Sequence, residues 1–253
     1  MSVADAQRLA RERAAEIVRK AANREPLDQY WYGERPLREP IIDEITNREG
    51  ERIGLVTRNA YGALVLNTAT AMFIDVDFER PQGFRSLVRS FRRLLGKHVP
   101  GEEARHLQHL EAWASGRPDW SLRVYRTFGG LRCLVTDRLF ETTQEETLEF
   151  LRSAGSDPLY IRLCRSQECF RARLTPKPWR CGVAKPPNRY PWENREAEAL
   201  FRGWEAKYTQ ATSQYAVCRL VRELGRGRVY PEVAPILATH DRYCCAGDGQ
   251  RLA

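Results

Sequence analysis

The sequence predicts an α+β fold: a mostly antiparallel central sheet flanked by helices, with helical segments at both ends. Three observations carry that expectation. Short apolar or alternating stretches at residues 53–57, 63–66, 71–78, 122–125 and 131–136 are set off by polar or glycine-containing clusters, the pattern of strands. Two of the intervening clusters, Asn59-Ala60-Tyr61-Gly62 and residues 126–130, are turn-like and fold neighbouring strands into hairpins. Helical periodicity governs residues 4–23, 84–95, 101–114 and 144–154 instead.

Composition narrows the class. With 253 residues, 42% hydrophobic and 29% charged, the chain has material for one large or two small globular domains and is neither fibrous nor disordered in type. No apolar run reaches the length of a bilayer span, and the charged N-terminus lacks the apolar core of a signal peptide, so no membrane partner and a cytoplasmic location are expected. The formal charge of +8, with Arg far outnumbering Lys, suits a polyanionic partner, or an arginine-rich background with no particular partner. Seven cysteines, an odd number without any Cys-x-x-Cys pair, argue against a disulfide framework and read as buried thiols rather than a zinc site.

Taken in order, residues 4–23 place Leu9, Ala10, Ala14, Ile17, Val18 and Ala21 at helical spacing. A Pro-rich aromatic link with Tyr30-Trp31-Tyr32-Gly33 follows, and residues 1–40 form an expected helical extension and linker. The central module, 41–185, opens with the hairpin 53–57/63–66 and the strand 71–78. A helix over 84–95 buries Phe84, Leu87, Val88, Phe91, Leu94 and Leu95 and offers Arg85, Arg89, Arg92 and Arg93 to solvent or to a nucleic-acid backbone. In the helical stretch 101–114, His106 and His109 read as surface residues. After the hairpin 122–125/131–136 and the helix 144–154, residues 159–164 and 169–174 read as another strand pair, broken by Arg165-Ser166-Gln167-Glu168. A rigid run, Pro176-Lys177-Pro178-Trp179-Arg180-Cys181, leads to the last region, 186–253, in which 194–225 reads as mainly helical.

The chemistry centres on Phe73-Ile74-Asp75-Val76-Asp77. Alternate side chains of a strand share a face, so Asp75 and Asp77 point one way and Ile74 and Val76 the other. Two carboxylates at the end of an apolar strand are either solvent-facing edge acids or hard oxygen ligands for Mg2+ or Mn2+. Two further segments belong with them: Val124-Tyr125-Arg126-Thr127-Phe128-Gly129-Gly130-Leu131-Arg132, and Asp157-Pro158-Leu159-Tyr160 running on to Phe170-Arg171-Ala172-Arg173-Leu174-Thr175-Pro176-Lys177.

This order resembles the archaeo-eukaryotic primase (primase-polymerase) superfamily over roughly residues 50–185. Its members carry a strand ending in Asp-x-Asp, a Ser/Thr-and-Gly hairpin ending in a basic residue, and a later acid. The resemblance implies an RRM-like catalytic core and a metal-dependent nucleotidyltransferase, a primase or DNA-directed polymerase, using nucleoside triphosphates on a DNA or RNA template or end. It makes Asp75 and Asp77 the ligands of Mg2+ or Mn2+. Asp157 is then the third acid, or else a turn-forming residue before Pro158. Arg132 falls where the superfamily usually has a histidine that contacts the triphosphate, a departure that keeps phosphate binding reasonable and puts catalysis in question. Arg126, Thr127, Gly129 and Gly130 would add phosphate donors, and Arg162, Arg171, Arg173 and Lys177 further positive charge. Trp179 reads as a core anchor or a base-stacking surface. Two other classes stay open: a nucleotide- or nucleic-acid-binding module without turnover, and a metal-dependent phosphoesterase. A helicase or another replication or repair partner is not specified by any motif.

Overall fold

Antiparallel strands dominate the computed structural model, which describes residues 38–78, 101–245, 247 and 249–253, and scattered positions from 8 to 23. The chain divides into two units, Met1–Pro36 and Leu37–Ala253. In the first, the positions described between Arg8 and Ala22 are helical, and Arg8 Nη1 pairs with Glu12 Oε1 one turn on at 3.1 Å.

The second unit contains two four-stranded antiparallel sheets. β1 (Ile41–Thr46), β2 (Arg52–Arg58), β3 (Leu64–Thr68) and β7 (Phe170–Arg173) lie in the order β1-β2-β3-β7. The other sheet has the order β4-β6-β5-β9, from β4 (Phe73–Asp77), β5 (Ser121–Thr127), β6 (Gly130–Val135) and β9 (Cys218–Gly225). A short parallel pair joins β8 (Tyr215–Ala216) to β10 (Arg251–Leu252). Five helices are described: α1 (Glu102–Ser115), α2 (Glu145–Ser153), α3 (Pro158–Gln167), α4 (Arg195–Thr212) and α5 (Val233–Cys244). The molecule is therefore α+β with antiparallel sheets, as its hairpin spacing predicts.

Every residue of β6 is buried, which suits its place between β4 and β5. Ile74, Val76, Leu131 and Cys133 fill one side of this sheet, and Phe73 and Tyr125 are among the largest fully buried side chains on the other. Trp113 and Trp120 meet edge to face at 5.2 Å, and Phe150 meets Trp120 at 4.9 Å, so aromatic packing joins α1 and α2 to the start of β5. The β5–β6 hairpin crosses β4 closely: a Cβ on Gly130 would lie 1.9 Å from the Val76 carbonyl oxygen, so only glycine fits there.

Three local expectations change. Residues 159–164 are not a strand; they lie in α3, because Asp157 caps its N-terminus by accepting a hydrogen bond from Tyr160 N at 2.9 Å and Pro158 follows at the first helical turn. The Phe170–Arg173 strand consequently pairs with β3 rather than with that segment, Leu66 lying opposite Ala172. Within 194–225 the helix stops at Thr212, and Cys218–Gly225 is a strand that pairs with β5 along its length. Its apolar residues are too few and too scattered to announce a strand; the ladder with β5 decides it. β1 was not foreseen, because an edge strand with only Ile45 buried carries little hydrophobic pattern.

Candidate functional site

The site is assembled where β4 runs beside β6. Asp75 pairs with Arg132 and Asp77 with Gly130 in the antiparallel register, and directly opposed residues project from the same face. Asp75, Asp77 and Arg132 therefore share one side of the sheet, together with Tyr125, which pairs with Arg132 from β5. On the free edge of β4, the loop between α2 and α3 takes the place of a fifth strand. Asp157 N donates to the Asp75 carbonyl at 2.8 Å, and Ser156 Oγ lies 3.2 Å from the same oxygen and 3.3 Å from Asp75 N. The third acid is thus fastened to the backbone of the first, and its side chain also caps α3.

Charge crowding follows from this arrangement. Burial, then Asp75, then Asp157 push the Asp77 carboxyl above the usual carboxylate range, while Lys177 and Arg180 oppose the shift. Arg132 is buried, yet Asp75 and the other nearby acidic groups outweigh the cost of burial and hold its guanidinium above the ordinary value. Its Nη1 donates to the Arg173 carbonyl at 2.9 Å and lies 3.4 Å from His240 Nε2. Arg132 thus acts as a fixed counter-charge beneath Asp75, with little surface left for a ligand.

The cations facing the acids come from β7 and the loop after it. Burial, then Arg132, then Arg180 bring Arg173 down to about 10, and its Nη1 is buried without a hydrogen-bond partner among the described residues. Lys177 is lowered by burial, then by Arg173 and Arg180. Arg173 and Lys177, both lowered by burial and by neighbouring positive charge that includes Arg180, stand beside three acids, an arrangement suited to a polyanion bridged by metal ions. Tyr208 of α4 sets the loop, donating its hydroxyl to the Pro176 carbonyl at 2.6 Å, with Thr175 Oγ1 at 2.8 Å. Beyond it, a three-residue 3-10 turn, Pro178–Arg180, carries Trp179, which is 45% exposed and lies edge-on to Tyr61. Lys177 Nζ and Lys185 Nζ sit 5.7 and 5.8 Å from the Trp179 ring, and the Arg180 guanidinium lies 4.1 Å from the ring of Phe128, itself exposed at the hairpin tip. Arg180 and Phe128 were missed as site residues. Position 180 does follow Lys177 in the rigid Pro-Lys-Pro-Trp run, the signal that was there to be read.

Not every expected residue joins this group. Arg126 pairs with Leu131, which pairs with Val76, so it occupies the reverse face of the sheet. There its Nε binds Glu103 at 2.9 Å, its Nη1 donates to the Gly130 and Thr127 carbonyls, and its guanidinium covers Phe78. Thr127 Oγ1 accepts from Gly130 N at 3.0 Å and closes the hairpin, while Gly129 lies in open space at its tip and its carbonyl accepts from Phe78 N. Arg171 is held by Glu39, with Nη2 at 2.9 and 2.7 Å from the two carboxylate oxygens. Arg85, Arg89, Arg92 and Arg93 lie outside the described residues. A hollow of about 700 Å3 lined by Arg117, Trp120, Arg138, Glu141, Glu146 and Phe150 lies apart from Asp75, Asp77 and Asp157, none of which lines it.

No family model, curated protein or solved structure matches the chain.

Proposed function

We propose that this chain is a metal-dependent nucleotidyltransferase similar to primase-polymerases, joining nucleoside triphosphates to a nucleic-acid template or end. The observation that carries the reading is the register of β4 on β6, which sets Asp75 opposite Arg132 while Asp157 is bonded to the Asp75 backbone. The donor set is all carboxylate oxygen, which fits Mg2+ or Mn2+, and the raised Asp77 carboxyl marks acids crowded enough to welcome a cation. Asp75 and Asp77 would hold the metal, with Asp157 beside them. Bound Mg2+ or Mn2+ supplies charge stabilisation at the attacking and leaving oxygens of phosphoryl transfer. Arg173, Lys177 and Arg180 neutralise the polyphosphate, and the exposed Trp179 ring offers a stacking surface for a base. Arg132, opposite Asp75 in the strand register, serves as its counter-charge, and the phosphate-binding duty expected at its position passes to Arg173 and its neighbours.

The burial of Arg132 is also the observation that favours a second reading, a nucleotide-binding module without turnover. Incubation with labelled nucleoside triphosphates, Mn2+ or Mg2+ and bare or primed template separates the two. A transferase gives extended products that fall by at least about 100-fold in Asp75→Asn, as expected when transition-state charge stabilisation is lost. Salt-sensitive binding without product supports the module, and shortening of the template would make the same acids those of a phosphoesterase. Metal-dependent nucleotide binding that survives both Asp75→Asn and Asp77→Asn removes this site from either reading.

A further inference from the structure

We infer that Cys218, His240, Cys244 and Cys245 bind a structural zinc ion, in a site separate from the carboxylates. One ligand atom from each of the four residues lies within 4.8 Å of all the others. The sulfur pairs are closer: Cys218 Sγ is 3.5 Å from Cys244 Sγ and 3.9 Å from Cys245 Sγ. A tetrahedron with zinc–sulfur bonds of about 2.3 Å has sulfur–sulfur edges of roughly 3.8 Å, so these separations bracket the value that zinc requires. They also far exceed the length of about 2.05 Å for a disulfide, and all seven cysteines are free thiols. Among the described residues Cys133, Cys164, Cys169 and Cys181 do not converge in this way.

Secondary structure explains the convergence. His240 and Cys244 stand four residues apart on α5, one turn on the same face, and Cys245 follows at the helix end. Cys218 opens β9 and forms a parallel bridge with Cys245, while Val217 N donates to the Cys244 carbonyl at 3.1 Å. The four ligands thus pin the last turn of α5 to the first residue of β9.

The surroundings of the histidine match those of a metal ligand. Its ring is fully buried and its Nδ1 lies 2.9 Å from Asp241 Oδ1, so Nδ1 carries the proton and Nε2 keeps a lone pair for coordination. Asp241 is itself fixed: Tyr125 donates its hydroxyl at 2.7 Å and Arg123 donates from Nη1 at 2.9 Å. The competing partner of Nε2 is the Arg132 guanidinium at the long distance of 3.4 Å. Three thiolates and an imidazole are soft donors of the kind that select zinc over Mg2+ or Mn2+. Zn2+ with three thiolates leaves one net negative charge, and Arg132 stands beside it to offset that charge.

The full-length protein, purified under reducing conditions without added metal, is expected to contain one zinc per chain. Cobalt(II) added to protein stripped by chelator should give the ligand-field bands of a tetrahedral site and a strong thiolate-to-cobalt charge-transfer band. Cys245→Ser, at the least buried ligand, should weaken zinc retention by more than about 100-fold in competition with a chromophoric chelator, and Asp241→Asn by about 10- to 100-fold. Cys169→Ser should retain the metal. A protein that holds no zinc and shows no thiolate band with cobalt overturns the inference; so does an iron chromophore, or a Cys218–Cys244 disulfide found by mass under the same conditions. Because wild-type metal content and the cobalt spectrum do not depend on nucleotide turnover, they stand or fall apart from the carboxylate site.

Discussion

At the scale of single residues, Asp77 carries the clearest electrostatic consequence. Its carboxyl is held above the usual range by burial and by Asp75 and Asp157, so the folded state favours the protonated form. A raised carboxyl contributes stability that is complete below its unfolded value and is lost as the pH climbs through its folded value. Asp77→Asn, which removes the charge, should therefore raise the thermal midpoint at pH 7 in the absence of divalent metal, by no more than about 2 °C for a chain of this size, because Asp77 is exposed at the strand end and solvent screens part of the repulsion. The gain should vanish at a pH below the ordinary carboxylate range, where the aspartate is protonated in both states. Scanning calorimetry at the two pH values checks this, and a variant less stable than wild type at pH 7 would disprove the crowding. Added Mn2+ should reverse the order, since only the wild type gains from binding it. Arg173 offers a companion measurement. Its Nη1 has no hydrogen-bond partner among the described residues and its charge interacts with Asp75 and Arg180, so Arg173→Gln should weaken triphosphate binding by roughly 10- to 100-fold, the loss of a charged hydrogen bond, with little change in stability.

At the scale of elements, much of the site was legible and the rest was hidden by identifiable physics. The period-two alternation of Phe73–Asp77 placed both acids on one face, and the glycine turn predicted the hairpin that sets Arg132 opposite Asp75. The same alternation, counted across β5, would have put Arg126 on the reverse face. What no local pattern revealed is the convergence of Cys218 with Cys244 and Cys245, because its ligands come from a strand start and a helix end without a Cys-x-x-Cys spacing. Asp157 shows how one residue sustains two interpretations: it caps α3 and it also stands by Asp75 and Asp77. Substitution can divide the roles. Serine caps helices about as well as aspartate, so Asp157→Ser should leave stability nearly unchanged while abolishing a metal-dependent activity. Asp157→Ala should lose the activity and about 1 kcal/mol of stability as well. Denaturant titration beside the incorporation assay distinguishes them, and full activity in Asp157→Ser would reduce this residue to a cap.

At the scale of the whole Leu37–Ala253 unit, the site depends on how α4 is fastened to the sheet that contains β2 and β3. Tyr208 fixes the loop bearing Lys177, and one turn earlier Trp204 stacks on Tyr208 at 4.9 Å and fills the space above Gly62, whose positive φ of 83° and lack of a side chain admit the ring. A further tie is ionic. Arg58 of β2 places Nη2 2.5 Å from Glu205 Oε1 of α4 and donates from Nη1 to the Gly62 carbonyl at 2.7 Å, with only 9% of its side chain exposed. Burial lowers the Arg58 guanidinium below its ordinary value, and Glu205 is the first of the groups that restore it. A buried pair of this kind is costly to assemble, and costlier to break from one side, because the surviving charge stays in a place from which water is excluded. Glu205→Gln should therefore destabilise the unit by about 3 kcal/mol, lowering the thermal midpoint by roughly 6–10 °C, whereas replacing both partners, Arg58→Met with Glu205→Leu, should restore most of that loss. If the double variant is no more stable than Glu205→Gln, the pair is not holding α4 by charge, and the positioning of the Lys177 loop rests on Trp204 and Tyr208 alone.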